Sequence, residues 1–318
     1  MRHCFIVNPA AGRPGQKKGQ ARLIVSEIRR LALEGDIYVT RSAGDGIEYA
    51  RQYCRRHPGR LRFYACGGDG TLNEVVNGVM GGIAEAEAVS EAAGADAGGR
   101  ISVAAVPWGS GNDFIKNFPA PAAFGNLERQ ILGRTVKTDL LKVNNRFCVN
   151  ICNFGFDAQV GHNMRKFKAL PLIRGDMAYG LSLLYCFLRK TDCHFSLALD
   201  GGETMAGAYL LLVLGNGCFY GGAYKGAPAA KTDDGLMDLV VIKKMSRWQM
   251  ARLIKIYKAG LHLEHPALAP FVAHRKIAAL RVRTDSPAPI CIDGEFFQEM
   301  ETRVELLPQA LNFVNPAW

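Results

Sequence analysis

The segment Ala65–Glu74, with the sequence ACGGDGTLNE, places three glycines and an aspartate between two recognisable elements. The run 61–66 before the glycines is apolar, rich in aromatic residues and of strand length. Thr71 followed three residues later by Glu74 forms a capping-box pattern, which predicts a helix that starts where the glycines end. Apolar residues then recur at helical spacing, at Leu72, Val75, Val76, Val79 and Met80. A strand, a glycine turn and a helix N-terminus in succession predict a phosphate-binding loop.

Asp69 makes this loop chemically more specific. A carboxylate repels a bare phosphate, so its presence predicts a divalent cation between the two groups. The alternative is a strand-to-helix turn in which the glycines serve only to reach positive φ. The ordered Gly-Gly-Asp-Gly-Thr sequence with its capping-box pattern favours phosphate binding over that alternative.

Length and charge limit the possible architectures and partners. With 318 residues, the chain exceeds one ordinary hydrophobic core and suits two domains. Its 48% hydrophobic and 21% charged residues are typical of a globular protein in water. The formal net charge of +10 predicts attraction to an anionic partner, such as a nucleotide or an acidic membrane surface. The basic residues form no repeat interleaved with aromatics, so no nucleic acid partner is expected.

The chain has no evident targeting or membrane-spanning segment. The predicted first strand, Cys4–Val7, leads directly into Asn8 and Pro9, so no signal peptide is expected. The longest apolar runs, near 181–188 and 209–214, fall short of the ~20 residues that a membrane span needs. Nine scattered cysteines without a C-x-x-C pair predict buried thiols in a reducing cytosol. We therefore expect a cytoplasmic protein that touches the inner face of a membrane peripherally.

Strand and helix patterns alternate through the first third of the chain. Strands are predicted at 4–7, 36–40, 61–66 and 101–106. Helices are predicted at 20–33, 46–57 and 71–80, with a loop at 8–19 and an Ala-, Gly- and Glu-rich excursion at 81–100. This β-α-β order predicts an α/β domain with a doubly wound, Rossmann-like parallel sheet, which binds ligands beyond the carboxyl ends of its strands.

From about Thr135, short alternating strands replace that order and predict a β-sandwich-like second domain. Its strands are predicted at 147–153, 194–199, 208–214, 237–242, 276–284 and 290–292, and helices interrupt them around 177–189 and 246–261. The predicted domains are 1–134 for the α/β domain, to which a tail at 304–318 returns, and 135–303 for the β-rich domain. The fold class is therefore α/β plus all-β.

Other predicted strand ends also carry polar or glycine-rich loops. The segment Gly109–Asp113 places a hydroxyl between two glycines after the fourth strand, and Asn112 or Asp113 could cap a following helix. The loop Asn8–Gly12 follows the first strand, and Thr40 ends the second. Four such strand ends indicate one nucleotide pocket better than four unrelated turns.

Two acidic segments of the second domain are candidates for the remaining chemistry. Lys231–Asp238 combines carboxylates with a glycine turn, which suits a hard cation and an acidic turn before a strand equally well. Asp293-Gly294-Glu295 follows a short apolar strand and reads either as a hairpin turn or as a carboxylate base for a hydroxyl nucleophile.

In their order along almost the whole chain, these segments resemble the bacterial diacylglycerol kinase and sphingosine kinase-like lipid kinases. NAD kinases and phosphofructokinases share the Gly-Gly-Asp-Gly loop, whereas the sequence at 109–114 and the Asp-Gly-Glu at 293–295 favour the lipid kinases. The resemblance implies an enzyme that transfers the γ-phosphate of ATP, with Mg²⁺, to a lipid hydroxyl. Diacylglycerol is the expected acceptor and phosphatidic acid the product, with sphingoid bases as alternatives, and the nucleotide is expected between the two domains.

The resemblance also implies roles for individual residues. Asp293 is the first choice for the base that accepts the hydroxyl proton, and Glu295 is the second. Magnesium would be held by Asp234 and by main-chain carbonyls at Lys231 and Leu236, with Asp69 linked to it through water. The ATP site would be formed by Asn8, Pro9, Gly12, Thr40, Gly67, Gly68, Asp69, Gly70, Thr71, Asn73, Glu74, Gly109, Ser110, Gly111 and Asn112.

The acceptor surface and two rival functions stay open at this point. The helix predicted at 246–261 is basic and amphipathic, so it could lie on anionic lipid, but such stripes more often pack on their own domain. The segment 165–174 is a second candidate for membrane contact, and a bare strand edge in the second domain would allow a homodimer. The rival functions are a soluble-metabolite kinase of the NAD kinase type and a non-catalytic nucleotide- or lipid-binding regulator. The acids retained at positions 69, 234, 293 and 295 argue against the regulator.

Overall fold

The computed structural model describes residues 1–12, 17–90, 99–168, 175–188, 193–222 and 224–317. The chain forms two compact units, one of Met1–Leu140 with Pro308–Trp318 and the other of Leu141–Leu307. The predicted division placed these boundaries at 134/135 and 303/304. The chain passes into the second unit within one strand, β5, and returns within the last strand, β15.

The first unit alternates strands and helices. Its strands are β1 (Arg2–Val7), β2 (Gly35–Val39), β3 (Leu61–Gly67) and β4 (Ile101–Pro107). Its helices are α1 (Lys17–Arg30), α2 (Asp45–Arg56), α3 (Asp69–Ser90) and α4 (Leu127–Leu132), with 3-10 helices at Phe114–Asn117 and Pro121–Gly125. The strands pair in parallel in the order β2-β1-β3-β4. The predicted parallel α/β sheet is therefore confirmed.

Residues from the end of the chain complete the first unit. Phe313 pairs in parallel with Val103 of β4 and is fully buried. Its ring lies 5.0 Å from that of Phe114, 5.2 Å from Phe118 and 6.0 Å from Phe124, measured between ring centroids. This aromatic cluster covers one side of β4, so the predicted return of the tail adds core as well as a strand.

Helix α3 is longer than predicted and includes half of the expected excursion. It starts at Asp69 and runs to Ser90, because its Ala- and Glu-rich second half consists of strong helix formers. Two of its glycines allow close contact with α2. A Cβ at Gly78 would collide with the Ile47 carbonyl, and a Cβ at Gly82 would lie 2.6 Å from the Cys54 Cβ. Residues 91–98 lie outside the described part.

The second unit is mainly antiparallel. It begins within β5 (Arg134–Val143) and ends within β15 (Glu295–Asn315). Between them lie β6 (Arg146–Cys148), β7 (Ile151–Gly155), α5 (Phe156–Lys168), α6 (Gly175–Leu188), β8 (Cys193–Leu199), β9 (Thr204–Gly215), β10 (Phe219–Tyr220), β11 (Tyr224–Lys225), β12 (Met237–Lys243), α7 (Arg247–Lys258), β13 (Val272–Ile277) and β14 (Ala279–Ile292). The strands predicted at 276–284 and 290–292 belong to β13 and to one long β14, whose pairing with β15 shifts between Arg283 and Ala288.

Both faces of this second sheet are buried. Along β9, Leu212 and Leu214 join a core cluster of strand residues, whereas Leu211 and Val213 join a cluster with residues of α5, α6 and α7. The alternation follows from the two-residue period of a strand. The three helices therefore cover one face of the sheet, and the β-rich fold class is confirmed.

The helices also bear on the predicted membrane contact. None in the described part of the chain is long and apolar enough to cross a bilayer. The candidate segment 165–174 falls only partly on the described residues, since α5 ends at Lys168 and 169–174 lie outside them. Ser246 and Gln249 form a capping box at the start of α7. Six of the nine cysteines are buried, as their apolar neighbours predict.

A buried histidine in β1 gives a test of the first unit's stability. His3 is buried with Nδ1 2.8 Å from the Tyr64 hydroxyl, and burial, with the nearby Arg62, lowers the pKa of His3 to about 4. In the unfolded chain, His3 takes up a proton near pH 6.5. The stabilising contribution of neutral His3 to the unfolding free energy is therefore complete above that pH and is lost as the pH falls towards 4.

We expect the unfolding free energy of the protein to fall by about 3 kcal/mol over this range on account of His3 alone. Urea denaturation at pH 7 and pH 4.5 should show a smaller pH dependence for His3→Gln than for the native protein. The exposed His194, changed to Gln, is the control. An unchanged pH dependence in His3→Gln would contradict this assignment.

Candidate functional site

The strand register of the first unit brings the predicted loops to one edge of the sheet. Val7 of β1 pairs with Cys66 of β3, and Gly67 pairs with Pro107 of β4, so these three strands end at the same level. The Thr40 amide donates to the Val7 carbonyl at 2.9 Å, which places the end of β2 there as well. The structure therefore brings together the four strand ends that the sequence singled out.

The first loop folds onto the glycine loop through Asn8. Its amide donates to the Cys66 carbonyl at 3.0 Å, and its side chain Nδ2 donates to Thr71 Oγ1 at 3.1 Å. The Asn8 Oδ1 accepts from the Ala10 amide at 2.9 Å, and Gly12 ends the turn at a φ of 83°. Asn8 thus links the loop after β1 to the start of α3.

The two glycine loops are in direct backbone contact. The Gly67 carbonyl accepts from the amides of Trp108 at 2.8 Å and Gly109 at 3.0 Å. A Cβ at Gly109 would collide with the Gly68 Cα, and one at Gly67 would collide with the Thr71 side chain. Gly67, Gly68 and Gly70 do not have positive φ, so the turn-only alternative for these glycines is wrong. Gly68 and Gly109 lie where the two loops approach closely, and a side chain at Gly67 would clash with Thr71 of α3.

Asp69 joins the glycine loop to the loop after β4. Its Oδ1 accepts from the amides of Asp113 at 2.7 Å and Phe114 at 3.2 Å. Its Oδ2 lies on the side of Gly111, where a Cβ would be 3.1 Å away. Asn112, at a φ of 49°, closes its own loop by donating from Nδ2 to the Gly109 carbonyl at 2.8 Å. The carboxylate therefore holds the second loop in place from the first.

The predicted capping box of Thr71 and Glu74 is wrong. Helix α3 begins at Asp69, two residues earlier, and the Thr71 hydroxyl accepts from Asn8. The Glu74 carboxylate instead accepts from the amides of Gly44 at 2.9 Å and Gly46 at 3.1 Å, at the start of α2. Thr71 and Glu74 therefore accept hydrogen bonds from other loops instead of capping α3. As a result, Glu74 fixes α2 against α3.

Other predicted residues of this site have less direct positions. Asn73 accepts from Asn77 within α3, and Ser110 is exposed. Asp113 precedes the 3-10 helix at Phe114–Asn117 without a side-chain cap, contrary to the prediction that it or Asn112 would cap it. Its buried carboxylate instead pairs with Lys116 Nζ at 2.5 Å.

In the second unit, Asp293 is held by backbone amides. Its carboxylate accepts from the amides of Val149 at 2.6 Å, Asn150 at 3.0 Å and Ile151 at 3.1 Å. The Cys148 thiol lies 3.3 Å from Oδ1, and burial, followed by the negative charge of Asp293, raises the pKa of that thiol. The Asp293 backbone has a φ of 48°, in the left-handed region. The side chain thus fixes the chain between β6 and β7.

Glu295 lies on the exposed side of the same hairpin. It opens β15 opposite Ile292 and its side chain is exposed. The next residue, Phe296, packs so closely over Gly161 of α5 that a Cβ there would overlap its ring. The hairpin is therefore fixed on both sides, by Asp293 on β7 and by Phe296 on α5.

Sequence reasoning missed a half-buried carboxylate one helical turn from Gly161. Asp157, in the first turn of α5, accepts from the Tyr220 hydroxyl, which in turn lies 2.8 Å from the Tyr257 hydroxyl. Burial raises the pKa of Asp157. The only sequence signal was an acid in an otherwise apolar run after a strand, and its tyrosine partners are 63 and 100 positions away.

Comparisons with known proteins follow this division of the chain. The family model described as the diacylglycerol kinase catalytic domain matches residues 2–143. The model described as the YegS C-terminal NAD kinase beta sandwich-like domain matches residues 150–315. The chain belongs to the diacylglycerol kinase-like family of lipid kinases. It is therefore a kinase, as the motif order predicts.

Relatives of this lipid kinase extend over nearly the whole chain. The diacylglycerol kinase of Staphylococcus carnosus (strain TM300) is 25% identical over 313 residues, which cover 98% of this chain and 94% of that protein. The diacylglycerol kinase of Staphylococcus aureus (strain MRSA252) is 27% identical, over 92% and 85%. A solved diacylglycerol kinase structure from Bacillus anthracis (strain Sterne) aligns with a TM-score of 0.67 at 20% identity, over 99% of this chain and 97% of that one, which shows a shared fold.

In this lipid kinase, the acid of the predicted magnesium loop is already paired with a lysine of β13. Asp234 Oδ2 lies 2.6 Å from Lys276 Nζ, and its Oδ1 accepts from the Leu236 amide at 3.2 Å. Lys276 also pairs with the buried Asp238 at 3.0 Å, and Asp238 bonds His274 Nε2 at 2.5 Å. In the part of the chain that the structure describes, no three His, Cys, Asp or Glu residues group as metal ligands. A divalent cation at Asp234 would have to compete with Lys276.

The loop contact predicts a large effect of a small substitution. Gly109→Ala should displace Gly68 and with it the start of α3, which we expect to lower kcat/KM of the kinase roughly a hundredfold. Steady-state kinetics with varied ATP would measure this loss. Gly125→Ala is the matched control, because a Cβ there meets nothing within 4 Å. Equal activity of the two variants would show that the close approach is not needed.

Replacement of Lys276 tests whether it competes with a metal. Burial lowers its pKa, but hydrogen bonds to Asp234 and Asp238 outweigh this and raise it, so the ammonium is stabilised by both. Lys276→Met should lower the unfolding free energy by about 2 kcal/mol, because it leaves two carboxylates without this cation. Thermal unfolding with and without Mg²⁺ should show more stabilisation by the metal in the variant. The exposed Lys243, changed to Met, is the control. An equal effect of Mg²⁺ on the native protein and on Lys276→Met would argue against competition.

Proposed function

We propose that this kinase transfers the γ-phosphoryl group of magnesium-bound ATP to the free hydroxyl of diacylglycerol and releases phosphatidic acid. The observation that carries the proposal is the joining of three loops in the first unit. Asn8, Asp69 and the Gly68–Gly109 contact hold the ends of β1, β3 and β4 together. The relatives' name supplies the acceptor class, since they are called diacylglycerol kinases.

The nucleotide phosphates would lie against the start of α3. A helix N-terminus with glycines before it presents main-chain amides and the positive end of the helix dipole to an anion. Here the amides around Gly68 and Gly109 are held by the loop contact rather than by the ligand. Loops fixed in this way need no rearrangement when charge develops during transfer, which favours catalysis of phosphoryl transfer.

Magnesium would act as the counter-charge of the ATP phosphates and stabilise the negative charge that develops on the transferred group. In the first unit, Asp69 would face such a cation, and its Oδ1 is held by the amides of Asp113 and Phe114. In the second unit, Asp234 and the carbonyls of Lys231 and Leu236 are the predicted ligands. A metal at that loop would have to displace Lys276 from Asp234.

We assign different roles to the two acids of the Asp-Gly-Glu hairpin. Asp293 was the first choice for the base, but three amide donors occupy its carboxylate and make it a positioning residue. Glu295, exposed on the same hairpin, is the better candidate to accept the proton from the lipid hydroxyl. Proton removal is needed only late in a loose transition state, so an ordinary carboxylate suffices.

Phosphate transfer from labelled ATP would test the function and both roles. With Mg²⁺ and diacylglycerol in mixed micelles, we expect label in phosphatidic acid. Glu295→Gln should lower kcat about 10²- to 10⁴-fold, because it removes the proton acceptor. Asp293→Asn should lower the unfolding free energy by about 2 kcal/mol, because an amide NH₂ would face the amides of Val149–Ile151.

The outcomes separate the alternatives. Label in NAD offered in parallel, with none in the lipid, would indicate a soluble-metabolite kinase of the NAD kinase type. ATP binding without phosphate transfer to diacylglycerol, NAD or a sphingoid base would indicate the non-catalytic regulator. Loss of activity in Asp293→Asn at native stability, together with an active Glu295→Gln, would return the base to Asp293.

A further inference from the structure

Helix α6 exposes leucines along one face. Its other face is anchored, since Ser182 and Cys186, one turn apart, are 0% and 2% exposed. Ser182 Oγ also donates to the Val160 carbonyl of α5 at 2.5 Å. By contrast, Leu181, Leu184 and Leu188 are 38%, 53% and 62% exposed. Their spacing of three and four residues places them on one side of the helix, as a continuous apolar surface.

The first turn of α7 adds a tryptophan beside this face. Arg247 donates from Nη2 to the Leu188 carbonyl at 3.0 Å, so the start of α7 meets the end of α6. Trp248 follows and is 84% exposed, the highest value among the exposed large hydrophobic side chains of the described residues. An exposed indole next to leucines is typical of a surface at a membrane–water interface, where the ring is apolar and its N–H stays hydrated.

The outward side of α7 is basic. Two residues of its apolar side face inward, since Met250 is buried and Tyr257 packs in the same cluster as Cys186. Arg252 and Lys255 follow Trp248 by four and seven residues and are exposed. The helix sequence RWQMARLIKIYK contains four cations and no acid. Cations beside an apolar face are complementary to anionic lipid headgroups above acyl chains.

We propose that α6 and the start of α7 form a docking surface for an anionic lipid bilayer. This α6–α7 surface consists of Leu181, Leu184, Leu188, Trp248, Arg252 and Lys255. The proposal rests on the proposed function in one respect: a lipid kinase must reach an acceptor that resides in a membrane. Charge favours a bilayer over a second copy of the chain, because two such surfaces face to face would oppose like charges.

Vesicle sedimentation with the full chain tests the surface without any enzymatic readout. We expect binding to phosphatidylcholine vesicles that contain phosphatidylglycerol, weaker binding without it, and a decrease with salt. Leu184→Asp with Leu188→Asp, and separately Arg252→Glu with Lys255→Glu, should each weaken partition roughly tenfold or more. Leu132→Asp is the matched control, since this leucine is 67% exposed on α4 in the first unit.

Activity then separates this inference from the proposed function. With a short-chain diacylglycerol dissolved as monomers, the variants should keep native kcat, whereas on vesicles they should lose activity in parallel with binding. If no acceptor is phosphorylated by any form, the proposed function fails, and sedimentation alone still decides on the surface. Native vesicle binding by both variants would overturn the proposal.

A second outcome would also overturn it. Light scattering that shows a native dimer, and a monomer for Leu184→Asp with Leu188→Asp at unchanged vesicle binding, would assign the surface to self-association. Circular dichroism melting should match the native protein for all variants, since each substituted side chain is exposed. Trp248→Ala provides an additional variant that removes no charge and no helical propensity, and its loss of binding should be intermediate.

Discussion

The contact between Gly68 and Gly109 is the constraint on which the first unit's site depends. Two backbones approach without room for a Cβ, and this brings the end of β4 against the start of α3. Asp69 can reach the amides of Asp113 and Phe114 only from that arrangement. Phosphoryl transfer depends on positioning more than on covalent chemistry by the protein. A site that is rigid before its ligand arrives is therefore the physical basis of the proposed activity.

Much of the architecture could be predicted from local patterns. Strand and helix periodicity predicted the order of elements, and parallel pairing placed Asn8, Thr40, Gly67 and Gly109 at one sheet edge. These features depend on neighbours in sequence and on general rules for α/β sheets. The ends of β1 and β3 meet because the two strands pair in parallel. No particular side chain is needed to specify this meeting.

The parts that could not be predicted depend on distant partners. Thr71 and Glu74 satisfy a capping-box pattern, yet their hydrogen bonds go to groups 28 to 63 positions away. Likewise, nothing in the spacing of Asp293 and Glu295 separates the roles that we propose for them. The difference arises from the φ of Asp293 and from amides more than 140 positions upstream. Asp157 acquires its partners only when β10 and α7 pack together.

The route of the chain through β5 and β15 has a consequence for biosynthesis. Phe313 completes the aromatic cluster of Phe114, Phe118 and Phe124, although some 190 residues separate it from them. Ribosomes deliver a chain from its N-terminus, and domains generally fold as units as they emerge. Here the N-terminal unit has to wait for its last strand, so the C-terminal unit is the first that can finish folding. Although it is synthesised first, the N-terminal unit would thus have an incomplete core until the last residues of the chain leave the ribosome.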